Sequence, residues 1–144
     1  MTIAPNRVTT LTTVSHPLEP LTPEEITAAV TILRQEKSLG IQVRFATVTL
    51  NEPAKTVVLS FKPGMAIIRE AFIILLDNAT AQTYEAVVDL GEGVIRRWEH
   101  IPGVQPPIML DEFAECEAAV KADPAFQAAI AKRGITDPDL VMVD

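Results

Sequence analysis

The side chains with catalytic potential are few and scattered. Two histidines, His16 and His100, fall outside any metal-ligand spacing, and adding the single cysteine, Cys116, still leaves too few nitrogen and sulfur donors for a zinc or copper cage. His100 alternates with Trp98 and Arg96 along one side of a predicted strand, the pattern of a surface or partly buried residue. Cys116 falls on the inward stripe of a predicted helix with no histidine near it in sequence, so it reads as core packing rather than as a nucleophile. Asp111, Glu112, Glu115 and Glu117 crowd the first turns of the same helix, where the dipole favours carboxylates and solvent receives them. Glu85, Asp89 and Glu99 with Arg97 suit cross-strand pairs on an exposed sheet face, each worth ~0.2–1 kcal/mol. Tyr84 is an inward-facing strand residue. No Gly-rich phosphate loop, nucleophile elbow or paired-metal motif occurs. The expectation is a chain with no catalytic, cofactor-binding or metal-binding residue of its own.

The elements that would position these groups are easier to read. The stretch from Ala71 to Leu76 is the longest uninterrupted apolar run, too short to span a membrane and rich in the residues of a strand buried on both faces. The residues from Asp77 to Ala81 carry turn chemistry, because short polar side chains bond back to nearby backbone. The returning stretch places Tyr84, Ala86, Val88 and Leu90 on one apolar face against Thr83, Glu85, Val87 and Asp89. Upstream, three prolines keep residues 16–23 extended. Thr22, Pro23, Glu24 and Glu25 then predict a helix over 23–38: Thr22 and Glu25 form a capping box, and Pro23 occupies the first turn. Ile26, Ala29, Val30, Leu33 and Lys37 give it an apolar stripe, and Gly40 is its expected stop.

Strands are expected over 42–50, 56–61, 69–76, 82–90 and 94–101, and connections this short permit only antiparallel neighbours. One helix followed by a meander of four to five strands is an α+β unit, a curled sheet wrapped on a helix in the arrangement called cystatin-like. The proline-rich stretch 102–107 is the domain boundary. Beyond it, Asp111 is the expected cap of a helix over 112–122 with Phe113, Cys116 and Val120 on one face. Asp123 and Pro124 start a second helix that turns Phe126 and Ile130 inward, and residues 140–143 are the expected opening of a further strand. This gives a leader over 1–15, a complete α+β domain over 16–101, and a linker with an incomplete second unit over 102–144.

Length and charge agree with that division. A chain of 144 residues holds one core, or one core and part of another. The net charge of −7, from 12 basic and 19 acidic residues, argues against a nucleic-acid partner. A single cysteine and no signal-peptide pattern make a reducing, cytoplasmic setting the expectation, without membrane contact.

The stretch from Trp98 to Glu117, continuing through Val120 to Phe126 and Arg133 to Val143, resembles copper-containing primary amine oxidases. The resemblance reaches back through His16 to Glu25, Val48 to Pro53 and Ala86 to Leu90, and so covers about residues 15–144. It lies in the non-catalytic N-terminal part of that family, two small cystatin-like domains ahead of a large β-sandwich. The second and third N-terminal domains of the family correspond here to a complete and a truncated unit. The resemblance implies a parent enzyme that oxidises primary amines with oxygen to aldehyde, ammonia and hydrogen peroxide. It implies copper held by three histidines, a topaquinone made from a tyrosine in a Thr-x-x-Asn-Tyr type motif, an aspartate base and a homodimer. None of those positions matches here. Two histidines cannot supply three ligands, and Tyr84 follows Thr83 where the motif has Asn.

The expected role is therefore structural: contact with the catalytic β-sandwich and shaping of the substrate entrance, with apolar surface around Phe113, Cys116, Phe126 and Ile130 hidden by folding back on the first domain or by self-association. The alternative is a free-standing cystatin-like binding module without enzyme activity. Cystatin-type protease inhibition does not fit, because the Gln-x-Val-x-Gly hairpin is missing and Gln42 to Phe45 is the nearest approach. A small-molecule enzyme of cone-shaped α+β type would need a buried carboxylate and a histidine converging in one cavity.

Overall fold

The computed structural model describes residues Ser15–Val143. The chain divides into two compact units, one ending at Pro106 and one starting at Pro107. In the first, α1 (Pro23–Glu36) is followed by β1 (Val43–Leu50), a short α2 (Lys55–Ser60), β2 (Glu70–Asp77), β3 (Gln82–Asp89) and β4 (Val94–Ile101). The four strands form one antiparallel sheet in chain order.

Local chemistry explains most of these boundaries. At the start of α1 the Thr22 hydroxyl accepts the Glu25 amide at 3.2 Å and the Glu25 carboxylate accepts the Thr22 amide at 2.9 Å. The helix ends at Glu36, earlier than the expected stop at Gly40, with Ser38 in the left-handed region at φ 50°. The β2–β3 turn is tied by Asp77, whose carboxylate accepts the Ala79 amide and the Thr80 hydroxyl.

One face of the sheet is closed by α1. Ala29 and Leu33 pack on Val43, Ala71, Ile73, Leu75, Ala86 and Val88 to make the core. The buried line of α1 runs through Glu25, Ala29 and Leu33, while Ile26 and Val30 sit at its margins, half-buried. The register slips by one residue between Phe45 and Thr47 on β1, and again where Val87 and Val88 meet Arg97 and Ile95 on β4. Such bulges bend a strand and increase its local twist.

The strand expected over 56–61 is a correction. Leu50 of β1 pairs directly with Ala71 of β2, so no strand is inserted between them, and Val57 to Leu59 lie in a short helix instead. Their β-branched character suits a strand only where a neighbouring strand is free to pair.

The second unit consists of α3 (Leu110–Ala122), α4 (Pro124–Ala131) and a 3₁₀ turn (Pro138–Leu140). Asp123 caps α4 by accepting the Phe126 amide at 2.8 Å, and Ile130 is buried. Three expectations fail here. Asp111 is inside α3 rather than its cap, because the helix opens two residues earlier and Glu112 reaches back to the Met109 amide at 2.7 Å. Residues 140–143 form no strand; Asp137 caps a 3₁₀ turn that uses the first of them. Cys116 is exposed, on a helix with no buried residue, so its place on an inward stripe does not hold.

Candidate functional site

Antiparallel register places Tyr84 opposite His100 and Ala86 opposite Trp98. Alternation along both strands turns these side chains towards α1. The Tyr84 and Trp98 rings stack at 4.7 Å and 20°, and the His100 ring lies tilted at 5.3 Å from Tyr84. The Tyr84 hydroxyl donates to Gln82 Oε1 at 2.5 Å, and Lys37 Nζ stands 5.2 Å from the Trp98 ring centre. Tyr84, Trp98 and Lys37 line a cleft of about 440 Å³ at the end of α1, together with the apolar Leu39, Val43 and Leu75. The cleft offers an aromatic shelf and one cation. It offers no nucleophile and base in contact.

The remaining histidine has other neighbours. His16 Nδ1 accepts the Leu18 amide at 3.2 Å, and its ring meets Phe61 edge-on at 5.6 Å. Among the described residues no three His, Cys, Asp or Glu side chains gather as a metal site. A three-histidine copper site does not fit a chain with two histidines, and the Tyr84 hydroxyl is committed to its own strand.

The carboxylates resolve into structural pairs. Arg97 reaches Glu85 at 2.7 Å and Glu99 at 4.0 Å, and its guanidinium lies 5.8 Å from the Phe72 ring centre. Asp89 pairs instead with Arg96, at 2.8 Å, and also accepts the Glu92 amide at 2.9 Å. Burial pushes the Asp89 carboxyl up, and the Glu92 amide and Arg96 guanidinium more than offset it, leaving it below the usual range. In the second unit Glu117 pairs with Lys121 at 2.8 Å, and that bond raises the lysine above its ordinary value. Asp111 and Glu115 are engaged as well.

The most demanding polar arrangement is one that sequence reasoning missed. Arg69, at the foot of β2, reaches Glu25 from Nε at 3.0 Å and from Nη2 at 2.7 Å. The same guanidinium donates to the Glu19 carbonyl at 2.7 Å and the Pro20 carbonyl at 3.0 Å. Both side chains are buried. The Arg69 hydrogen bond holds the Glu25 carboxyl below the usual range, with the Thr22 amide helping. A signal existed: Glu25 is one helical turn before Ala29 and two before Leu33, so it shares their face. Its capping role hid that second one.

This bracket ties the lead-in to α1, the helix itself and β2 into one unit, the kind of arrangement that fixes a scaffold. The family model of the AGAO-like N2 domain matches residues 22–97. The chain belongs to that family. The matched span of the N2 domain includes Glu25, Arg69 and Tyr84 and ends one residue before Trp98. Curated relatives agree. The chain is 48% identical over 129 residues to a primary amine oxidase of Arthrobacter sp. (strain P1), covering 89% of this chain and 19% of that protein. It is 37% identical over 164 residues to a peroxisomal copper-containing diamine oxidase of Nicotiana tabacum, covering 90% and 21%. The chain thus spans about a fifth of the length of these relatives. It corresponds to the N-terminal region of copper amine oxidases. The fold is shared with a copper-containing benzylamine oxidase from Hansenula polymorpha, at TM-score 0.72 and 21% identity over 83% of this chain and 20% of that one.

Proposed function

We propose that this N2 domain region serves a copper and topaquinone primary amine oxidase as a structural part. The parent activity is oxidative deamination of primary amines to aldehyde, ammonia and hydrogen peroxide. In this reading residues 16–101 are a cystatin-like domain, 102–144 a linker and the opening of a second one, and 1–15 a leader. The domain packs against the catalytic β-sandwich and shapes access to it, within a homodimer. The single exposed Cys116 suits a reducing, cytoplasmic setting.

One observation carries the reading: the N2 family match runs from α1 into β4, and within it Glu25, Glu85, Asp89, Arg69, Arg96 and Arg97 are joined in structural pairs. Copper and the quinone would be held by residues outside this chain, and no catalytic step is assigned to any residue within it. The test is amine-dependent peroxide release from the isolated 144-residue chain with added copper. None is expected, and turnover would refute the structural role.

A further inference from the structure

The connection between β1 and β2 is far longer than the sheet needs. The strands close at their base, where Asn51 donates to Glu70 from both backbone and side chain at 2.8 Å. Two to five residues suffice for a hairpin turn, yet residues 52–69 intervene. The arm includes α2, which buries no residue. It leaves Val57 52%, Leu59 75%, Met65 50% and Ile68 74% exposed. Four exposed apolar side chains on one connection give it the character of an interaction surface.

The arm is also anchored. Its last residue is Arg69, fixed by Glu25 and by the Glu19 and Pro20 carbonyls. Near its middle Phe61 meets the His16 ring. An apolar segment held in place before contact loses less entropy on binding than a loose one.

We propose that this arm is the element by which the N2 domain seats on the remainder of an oxidase polypeptide, against an apolar surface flanked by carboxylates. This rests on the structural role proposed above. The occupant follows from three facts. About four-fifths of each relative's length lies outside the matched region (100% less 19% and 21%). The arm lies inside the family-matched span. Apart from Arg69, whose charge Glu25 meets, it carries Lys55 and Lys62 against Glu52 alone, a basic excess within a chain of net charge −7. An arm-to-arm contact between two copies would bring those lysines together, which like-charge repulsion opposes.

Hydrogen–deuterium exchange of residues 55–68 tests this, comparing the 144-residue chain with the complete polypeptide that carries it. The arm amides should exchange roughly tenfold or more slowly in the complete polypeptide, while the exposed β3–β4 turn exchanges alike in both. A paired Leu59→Asp and Ile68→Asp variant of the complete polypeptide should lose that protection while keeping the sheet's circular dichroism. Equal arm exchange in both forms overturns the docking. So does protection in the 144-residue chain that rises with its concentration, which would make a second copy the occupant. Peroxide release by the complete polypeptide separates the two ideas. An active oxidase with an unprotected arm removes only the docking, and a polypeptide with no oxidase region removes both.

Discussion

Replacing Arg69 with Met keeps an apolar stem and deletes the guanidinium. Two bonds to Glu25, at 3.0 and 2.7 Å, disappear, and so do those to the Glu19 and Pro20 carbonyls. The two losses differ in weight. Pro20 is exposed and Glu19 half-buried, so water can replace the guanidinium at their carbonyls. Glu25 is 6% exposed, and its carboxylate would keep the Thr22 amide as its recorded partner. Removing one member of a buried pair costs ~3–5 kcal/mol, because the stranded charge stays desolvated. That is the expected loss for Arg69→Met at neutral pH. Glu25→Gln, which keeps shape and an acceptor, should lose ~1–3 kcal/mol. The double variant Glu25→Met with Arg69→Met should be more stable than Arg69→Met alone, since no charge is left behind.

Urea unfolding followed by fluorescence reads this cleanly, because Trp98 is the single tryptophan and lies in the sheet unit. The pH dependence has a definite sign. Glu25 titrates below its ordinary value of 4.5 in the folded protein, so its contribution is present above that value. It fades as pH falls through the depressed folded pKa, and the gap between wild type and Arg69→Met should narrow on acidification. A deficit under about 1 kcal/mol at neutral pH, the level of a surface pair, would refute the reasoning.

Two further outcomes follow from burial. Leu33 is fully buried between α1 and the sheet, so Leu33→Ala should cost ~2–5 kcal/mol in the same urea assay, and a loss below ~1 kcal/mol would contradict the core described. Cys116 is exposed, so the native chain should take up a thiol reagent as fast as the urea-unfolded chain does; labelling that waits for unfolding would return the thiol to a core.

Features set by neighbours in sequence were legible. The Thr22–Glu25 capping box, the turn tied by Asp77 and the alternation along β3 each depend on residues a few positions apart. What escaped was set by distance or by competition. Glu25 and Arg69 are 44 residues apart, and nothing local says that a capping carboxylate has a second partner. Val57, Val58 and Leu59 have strand-like side chains, but Ala71 had already taken the place beside Leu50. Cys116 and Phe113 follow a helical stripe, yet Phe113 remains 63% exposed, because a stripe says which residues share a face and not whether anything covers it. Of the candidate site, the aromatic pairing of Tyr84 with Trp98 depended on cross-strand register, which the β4 bulge shifts by one residue.

The buried bracket and the exposed arm belong to one argument. Arg69 ends the arm and begins the sheet, so whatever holds its guanidinium holds the foot of the arm as well. A buried ion pair is weak evidence for stability, since apolar residues of similar size often do as well or better. Its advantage here is directional. Four hydrogen bonds from one planar group fix where the chain must leave the arm, which a methionine in the same space could not do. The residues that gain from such a fixed exit are Val57, Leu59, Met65 and Ile68, which make no core of their own. On the docking proposed for the arm, the charge pair places that apolar segment as well as tying α1 to β2.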